Sequence, residues 1–188
     1  MVGGTSAAQI VTLTNTGALA LPITSVSAGT QFAVTHDCGA SVAVGATCTL
    51  TVVFRPTSGG AKTGSLSVTG GNGAGSRTVS LSGTAIVPTF SLAPGSLAFG
   101  EQAVGGTSAA QAVTLSNTGT LTLPITSVGM SGQFAVTHDC GTSVAVGATC
   151  TLNVVFRPTS VGAKSGTLSV TGGNGAGSRS VTLGGTAT

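Results

Sequence analysis

The sequence predicts an all-β chain built as two tandem antiparallel β-sandwich domains, the first lacking its opening strand. Three observations lead there. First, apolar residues alternate with polar ones in short runs: Cys48, Leu50, Val52 and Phe54 against Thr49, Thr51, Val53 and Arg55. A period of two places each set on one face of a strand. Second, Gly, Pro, Asn and Asp punctuate the chain after each run, and no window shows a helical period. Third, the pattern occurs twice. The same offset separates Cys38 from Cys140 and Cys48 from Cys150, and the register holds without a gap from Val2/Val104 to Ala85/Ala187. Roughly four aligned positions in five are identical, so the sequence is a duplicated unit of ordinary domain size.

Taken in order, Gln9 to Thr14 is the first expected strand, closed by the turn signal Asn15-Thr16-Gly17. In the second, Leu19, Leu21 and Ile23 alternate with Ala20, Pro22 and Thr24. Pro22 has no amide hydrogen to donate, which predicts a sheet edge or a bulge. Gln31 to Thr35 leads to the first cysteine. Thr47 to Arg55 is the central strand, broken by Pro56-Thr57-Ser58-Gly59-Gly60. Ser65 to Thr69 and Arg77 to Leu81 flank Gly70 to Ser76, a hairpin tip whose glycines and asparagine tolerate positive φ. About seven short strands separated by such turns describe an antiparallel sandwich of the immunoglobulin type.

Repeat one is placed at residues 1–85 and repeat two at 86–188, joined by Thr84-Ala85-Ile86-Val87-Pro88-Thr89, whose Pro88 limits flexibility. Repeat two is preceded by Phe90-Ser91-Leu92 and Ser96-Leu97-Ala98-Phe99-Gly100, and repeat one has no counterpart of them ahead of Val2. The expectation is a piece of a longer array whose first domain lacks that opening strand. Its edge is then expected either to pair with a neighbouring molecule, giving self-association, or to lie open beside the core.

Charged residues are 5% of the 188 and apolar residues 40%, so the chain can bury a core despite its few charges and is not a disordered tract. No apolar run reaches the ~18 residues of a membrane span, and no membrane insertion is expected. The net charge of +3 comes from scattered basic residues with no aromatics between them, which argues against a nucleic-acid partner. Met1-Val2-Gly3-Gly4 is not a secretory signal, which in an excised piece decides nothing.

The site residues to consider are the four cysteines. Each repeat has two, and the expected pairs are disulfides, Cys38–Cys48 and Cys140–Cys150, in an oxidising compartment. Closing so short a loop stabilises by about 2–3 kcal/mol in the chain-entropy model. A structural zinc site would need four nitrogen or sulfur ligands, and each repeat adds only His36 or His138 to its cysteines. His36-Asp37-Cys38 has the residue types of a nucleophile with base and orienting acid. Three consecutive extended residues point in alternating directions, however, and do not converge on one atom. The expected reading is a solvated histidine, with Asp37 bonding the backbone of a turn. Gly70 to Gly75 is no phosphate cradle, because a strand and not a helix follows. Calcium would require more carboxylates than Asp37, Glu101 and Asp139 supply. A Lys–Asn isopeptide bond would need a buried lysine, and Lys62 is expected in an exposed glycine-rich turn. No metal, cofactor or catalytic residue is therefore expected, and the chain is read as non-enzymatic.

Phe32 ahead of Cys38, the run Gly45 to Thr57, then Leu66-Ser67-Val68 and Leu81-Ser82-Gly83-Thr84 resemble the Hydin/ASH-type immunoglobulin-like domain. They are similar above all to its bacterial form, found in tandem in large secreted or surface proteins labelled "choice-of-anchor D". Leu97-Ala98-Phe99-Gly100 and Leu115-Ser116-Asn117-Thr118-Gly119 fit that family's opening strands. The resemblance implies a structural spacer or stalk repeat whose partners are neighbouring repeats of the same protein, outside the cell. The alternative is an adhesion or carbohydrate-binding module working through loops at one end of the sandwich, with a carbohydrate or protein ligand. Outward Thr12, Thr14, Thr49, Thr51, Ser65 and Ser67 suit a solvated sheet face and equally an uncharged docking surface. A sugar site wants exposed aromatics; the chain has no Trp or Tyr, and its Phe residues mostly fall on core-facing positions.

Overall fold

The computed structural model describes residues 1–188, which fold as two compact units, Met1–Ile86 and Val87–Thr188. Every regular element is a strand. Unit 1 contains β1 (Gln9–Thr14), β2 (Leu21–Ala28), β3 (Phe32–His36), β4 (Ser41–Val42), β5 (Thr47–Phe54), β6 (Gly60–Gly70) and β7 (Gly75–Ala85). They form two sheets, β1-β5-β3 and β4-β2-β6-β7, with every pairing antiparallel.

The central strand β5 follows its alternation. Cys48, Leu50 and Val52 point inward and are buried, and they meet Leu66 and Val68 on β6. Full burial of each such Leu or Val contributes about 1.5–3 kcal/mol. Phe54 continues this face but is only half-buried, its ring 5.1 Å from that of Phe32. Pro22 pairs with Ser41 at the short edge strand β4, and the bulge falls immediately after it, between Ile23 and Ser25 on the β6 side. The β6–β7 hairpin turns at Asn72 and Gly73, whose φ angles of 54° and 80° need residues that tolerate the left-handed region.

Three local expectations are corrected. Leu19 is not part of the second strand: β2 begins at Leu21, and Leu19 lies outside it, 74% exposed. Its carbonyl is instead held by the Asn15 side chain at 2.8 Å. Gly60 does not extend the break after β5 but opens β6. Lys62 therefore stands on a strand, half-buried, its Nζ donating to the Gly59 carbonyl at 3.0 Å.

Unit 2 contains β8 (Phe90–Ala93), β9 (Ser96–Gln102), β10 (Gln111–Asn117), β11 (Leu123–Met130), β12 (Phe134–His138), β13 (Ser143–Val144), β14 (Thr149–Phe156), β15 (Gly162–Gly172) and β16 (Gly177–Ala187). Strands β10 to β16 repeat β1 to β7 pair for pair. The addition is β8 and β9, which lengthen the sheets to β12-β14-β10-β8 and β13-β11-β15-β16-β9. β8 runs antiparallel to β10, from Thr114↔Ala93 to Asn117↔Phe90. β9 runs parallel to β16, with a register shift between Gly184 and Thr186. Both deliver apolar side chains into one core. Phe99 lies 5.6 Å from Phe134 and 6.3 Å from Phe156 between ring centroids, and Phe90 and Leu97 are buried. No helix is long and apolar enough to cross a membrane.

Candidate functional site

The predicted site residues come together at one corner of each unit. Cys38 follows β3 in a short loop, and Cys48 is the second residue of β5, turned inward by the strand's alternation. They are bonded to each other, with Cα atoms 4.9 Å apart, and Cys140 and Cys150 repeat the arrangement at 4.9 Å. All four are buried. Asp37 reaches across to β5 rather than closing its own turn. One carboxylate oxygen accepts the Thr49 amide at 2.6 Å and the other accepts the Thr49 hydroxyl at 2.7 Å. These donors, the amide first, hold the Asp37 carboxyl below the usual carboxylate range. Asp139 accepts the Thr151 amide at 2.7 Å in the same way.

Asp37, Cys38 and Cys48 offer ligand-type atoms within 4.8 Å of one another, and so do Asp139, Cys140 and Cys150. A sulfur in a disulfide has no thiolate to donate or to attack with, so neither set works as a metal site or a nucleophile. His36 and His138 are exposed at the ends of their strands, each pairing in register with a Leu on the neighbouring strand.

Two residues that carry this corner escape a local reading of the sequence. Asn15 and Asn117 are the buried polar side chains, 5% and 2% exposed. The Asn15 side chain accepts the Gly17 amide at 3.0 Å, which is the turn its sequence signals. Its Nδ2 also donates to the Val42 carbonyl at 2.9 Å, which ties the end of β1 to the disulfide loop. Asn117 repeats both bonds, to Gly119 at 3.1 Å and Val144 at 2.9 Å. Every buried side-chain polar atom has a partner, so replacing either asparagine would strip the backbone groups it holds, three for Asn15 and four for Asn117, at a cost of about 1–3 kcal/mol for each one left buried.

One run of hollows along the sheet edges belongs to unit 1 alone. Between β1 and β7, where unit 2 carries β8 and β9, three hollows follow one another. The first, of about 280 Å³, lies beside Leu13, Leu21, Gly70, Ala74 and Arg77. The next, of about 140 Å³, shares Leu13 and Arg77 with it and adds Val11, Leu66 and Val79. The third, of about 270 Å³, takes up Val11 and Val79 and ends on Phe32, Phe54 and Leu81. The edge of repeat one is thus not covered by its own residues. The groove is apolar along its floor and bordered by the outward backbone groups of two strand edges.

Comparison with known proteins agrees with this architecture. The model of the ASH family (abnormal spindle-like microcephaly-associated, ASPM-SPD-2-Hydin) matches residues 2–79 and again 84–181. The second match takes in β8 and β9, and the first begins at Val2, the counterpart of Val104. No curated protein matches the chain. Among solved structures, the chain is similar to a protein of unknown function from Porphyromonas gingivalis W83, at 17% identity over 95% of this chain and 91% of that one, TM-score 0.47. It is also similar to the ASH/PapD-like domain 7 of human CEP192, at 14% identity over 53% of this chain and 85% of that one, TM-score 0.42. The Pseudomonas aeruginosa CupB2 chaperone matches at 11% identity over 93% and 91%, TM-score 0.33. With its sequence matched by the family model in both repeats and its strands forming two immunoglobulin-like sandwiches, the chain belongs to the ASH family.

Proposed function

We propose that the chain is a pair of structural repeats, spacer or stalk modules of a secreted or cell-surface bacterial protein, with no chemistry of its own. The observation that carries this reading is that all four cysteines are committed to bridges inside their own units. Such bridges persist in oxidising compartments and not in a reducing cytosol. The acid, histidine and sulfur of each corner support the same reading, since the sulfurs are bonded and the acid is engaged by the backbone. Near-identical consecutive units suit a protein that needs length, with each repeat's partners being its neighbours.

Thiol titration of the denatured protein, recovered from the cells that make it, tests this. No thiol is expected without reductant and four with it. Free thiols in the unreduced sample overturn the extracellular placement. The rival reading, an adhesion or carbohydrate-binding module, needs aromatic faces presented by loops. All six Phe residues lie on strands, which favours the spacer. Saturable binding to one class of glycan on an array would reverse that preference.

A further inference from the structure

We propose that β9 and β16 of unit 2 form a mechanical clamp, a parallel strand pair that holds the unit closed when the chain is pulled from both sides. This deepens the spacer reading and rests on it for the source of the load, since a stalk is stretched between what anchors it and what it presents. β9 stands near the beginning of the unit and β16 at its end, yet they are neighbours in one sheet. They run parallel from Thr182↔Ser96 to Ala187↔Gln102. Parallel neighbours start at the same end of a sheet. Force arriving from the N-terminal side therefore acts at the Ser96 end of the pair, and force leaving through Thr188 acts at the opposite end. The two strands are drawn past each other along their length, and their ladder bonds are loaded together rather than in succession.

The bonds that take this load lie on both sides of the register shift. The Thr182 amide donates to the Gly95 carbonyl at 3.1 Å, and the Thr188 amide donates to the Gln102 carbonyl at 3.0 Å. The Thr188 carbonyl in turn accepts the Val104 amide at 2.9 Å. Neither strand is free to slip. On its other edge β16 is held by β15 in an unbroken register from Gly162↔Ala187 to Gly172↔Gly177. β9 is held by its inward side chains, Leu97 being buried and Phe99 packing on Phe134 and Phe156. Buried Val181 and Leu183 keep water from the inner face of the ladder, so a strained bond there is not readily exchanged for one to water. Unit 1 shows the opposite geometry when it is pulled from Met1. Its Val2 amide donates to the Ile86 carbonyl at 3.3 Å. Both loaded ends then lie side by side, and the unit parts from that end one bond after another.

The test stretches the intact chain between handles at Met1 and Thr188 in a force spectrometer. Forced unfolding follows the unfolding rate and not equilibrium stability, so the direction of pulling is the variable. One event is expected from each unit, with unit 2 yielding at no less than about twice the force of unit 1, because its ladder bonds must fail together. Cys140→Ser/Cys150→Ser identifies the unit 2 event. Freeing a loop of sequence separation 10, closed at a Cα distance of 4.9 Å, should lengthen that event by about 30 Å. A second geometry leaves every strand intact. Ala103→Cys, exposed just beyond β9, carries a thiol-linked handle in place of the one at Met1, and circular dichroism checks that the fold is kept. Val104 beside it is bonded to Thr188, so unit 2 is then opened from one end, and its force is expected to fall at least about twofold. Equal force in the two units overturns the proposal, as does lengthening of the weaker event by the cysteine replacement, or an unchanged force from the Ala103 handle. None of these results alters the thiol count, so the clamp can fail while the spacer reading stands.

Discussion

Val79 and Val181 are the same residue at the same place in two nearly identical units, yet Val79 is 42% exposed and Val181 is fully buried. Leu13 and Leu115, Leu21 and Leu123, and Phe54 and Phe156 differ in the same sense, half-buried in unit 1 and completely buried in unit 2. None of these side chains changes its strand, its face or its pairing register. What changes is the neighbouring segment, because β8 and β9 cover the unit 2 residues and have no counterpart in unit 1. An apolar face on a strand is thus a demand for a partner surface. Whether the residue becomes core is decided by another part of the chain.

The largest expected effect comes from placing one charge at each of the two valines. Val181→Lys buries an ammonium with no counter-ion among Val, Leu and Phe side chains. It is expected to cost at least about 4 kcal/mol, enough to prevent unit 2 from folding. Val79→Lys puts the same group at a solvated groove wall and is expected to change unit 1 by about 0.5 kcal/mol or less. Chemical denaturation read unit by unit through amide exchange checks both. Equal losses would mean that the groove is closed in solution.

Phe99→Ala asks whether the difference between the units can be removed. It takes away the ring that covers Phe134 and Phe156. Being half-buried itself, Phe99 is expected to contribute about 3 kcal/mol, the lower end for Phe→Ala. Exchange at the β14 and β16 amides should rise toward that of β5 and β7 in unit 1. If it stays at its original level, Phe99 is not what separates the two units.

The disulfides should act alike in both units, because both close a loop of sequence separation 10. The paired replacements Cys38→Ser/Cys48→Ser and Cys140→Ser/Cys150→Ser are each expected to cost about 3 kcal/mol in the chain-entropy model. Equal losses have unequal consequences: unit 1, with less apolar surface buried, should lose cooperative unfolding first. The urea midpoints of the two double variants measure this, and a more robust unit 1 would contradict the burial comparison.

How much of this was legible in the sequence follows from the range over which each feature is determined. The alternation of Cys48, Leu50 and Val52 is local, and those residues are buried where a period of two places them. The Pro22 bulge and the Asn72-Gly73 turn are local too, being set by one missing amide and by tolerance of positive φ. Leu19 continues an alternating pattern, while the Asn15 side chain and the chain reversal it makes draw the Leu19 carbonyl out of the strand. Lys62 reads as a turn residue because glycines surround it, but pairing with β7 begins at Gly60↔Ala85. The reach of Asn15 to Val42 and the exposure of Val79 are invisible to any short window, since each depends on segments distant in sequence.

The smallest effect concerns a contact on the solvated surface. Asp37 accepts both the amide and the hydroxyl of Thr49, which keeps its carboxyl below the usual carboxylate range. Its pKa in the folded unit is therefore lower than in the unfolded chain, and the charged form is favoured by folding. The stabilisation is complete above the unfolded value, at about pH 4 and higher, and is lost as the pH falls through the folded value. Asp37→Asn should accordingly lower the stability of unit 1 slightly at neutral pH and flatten its decline below about pH 4. The counterpart Asp139→Asn removes a carboxylate that accepts the Thr151 amide and serves as the matched control in unit 2. Urea midpoints measured from neutral pH down to about pH 2.5 for the parent and both variants decide the matter. An unchanged acid limb in Asp37→Asn would mean that the Thr49 contact does not distinguish folded from unfolded Asp37.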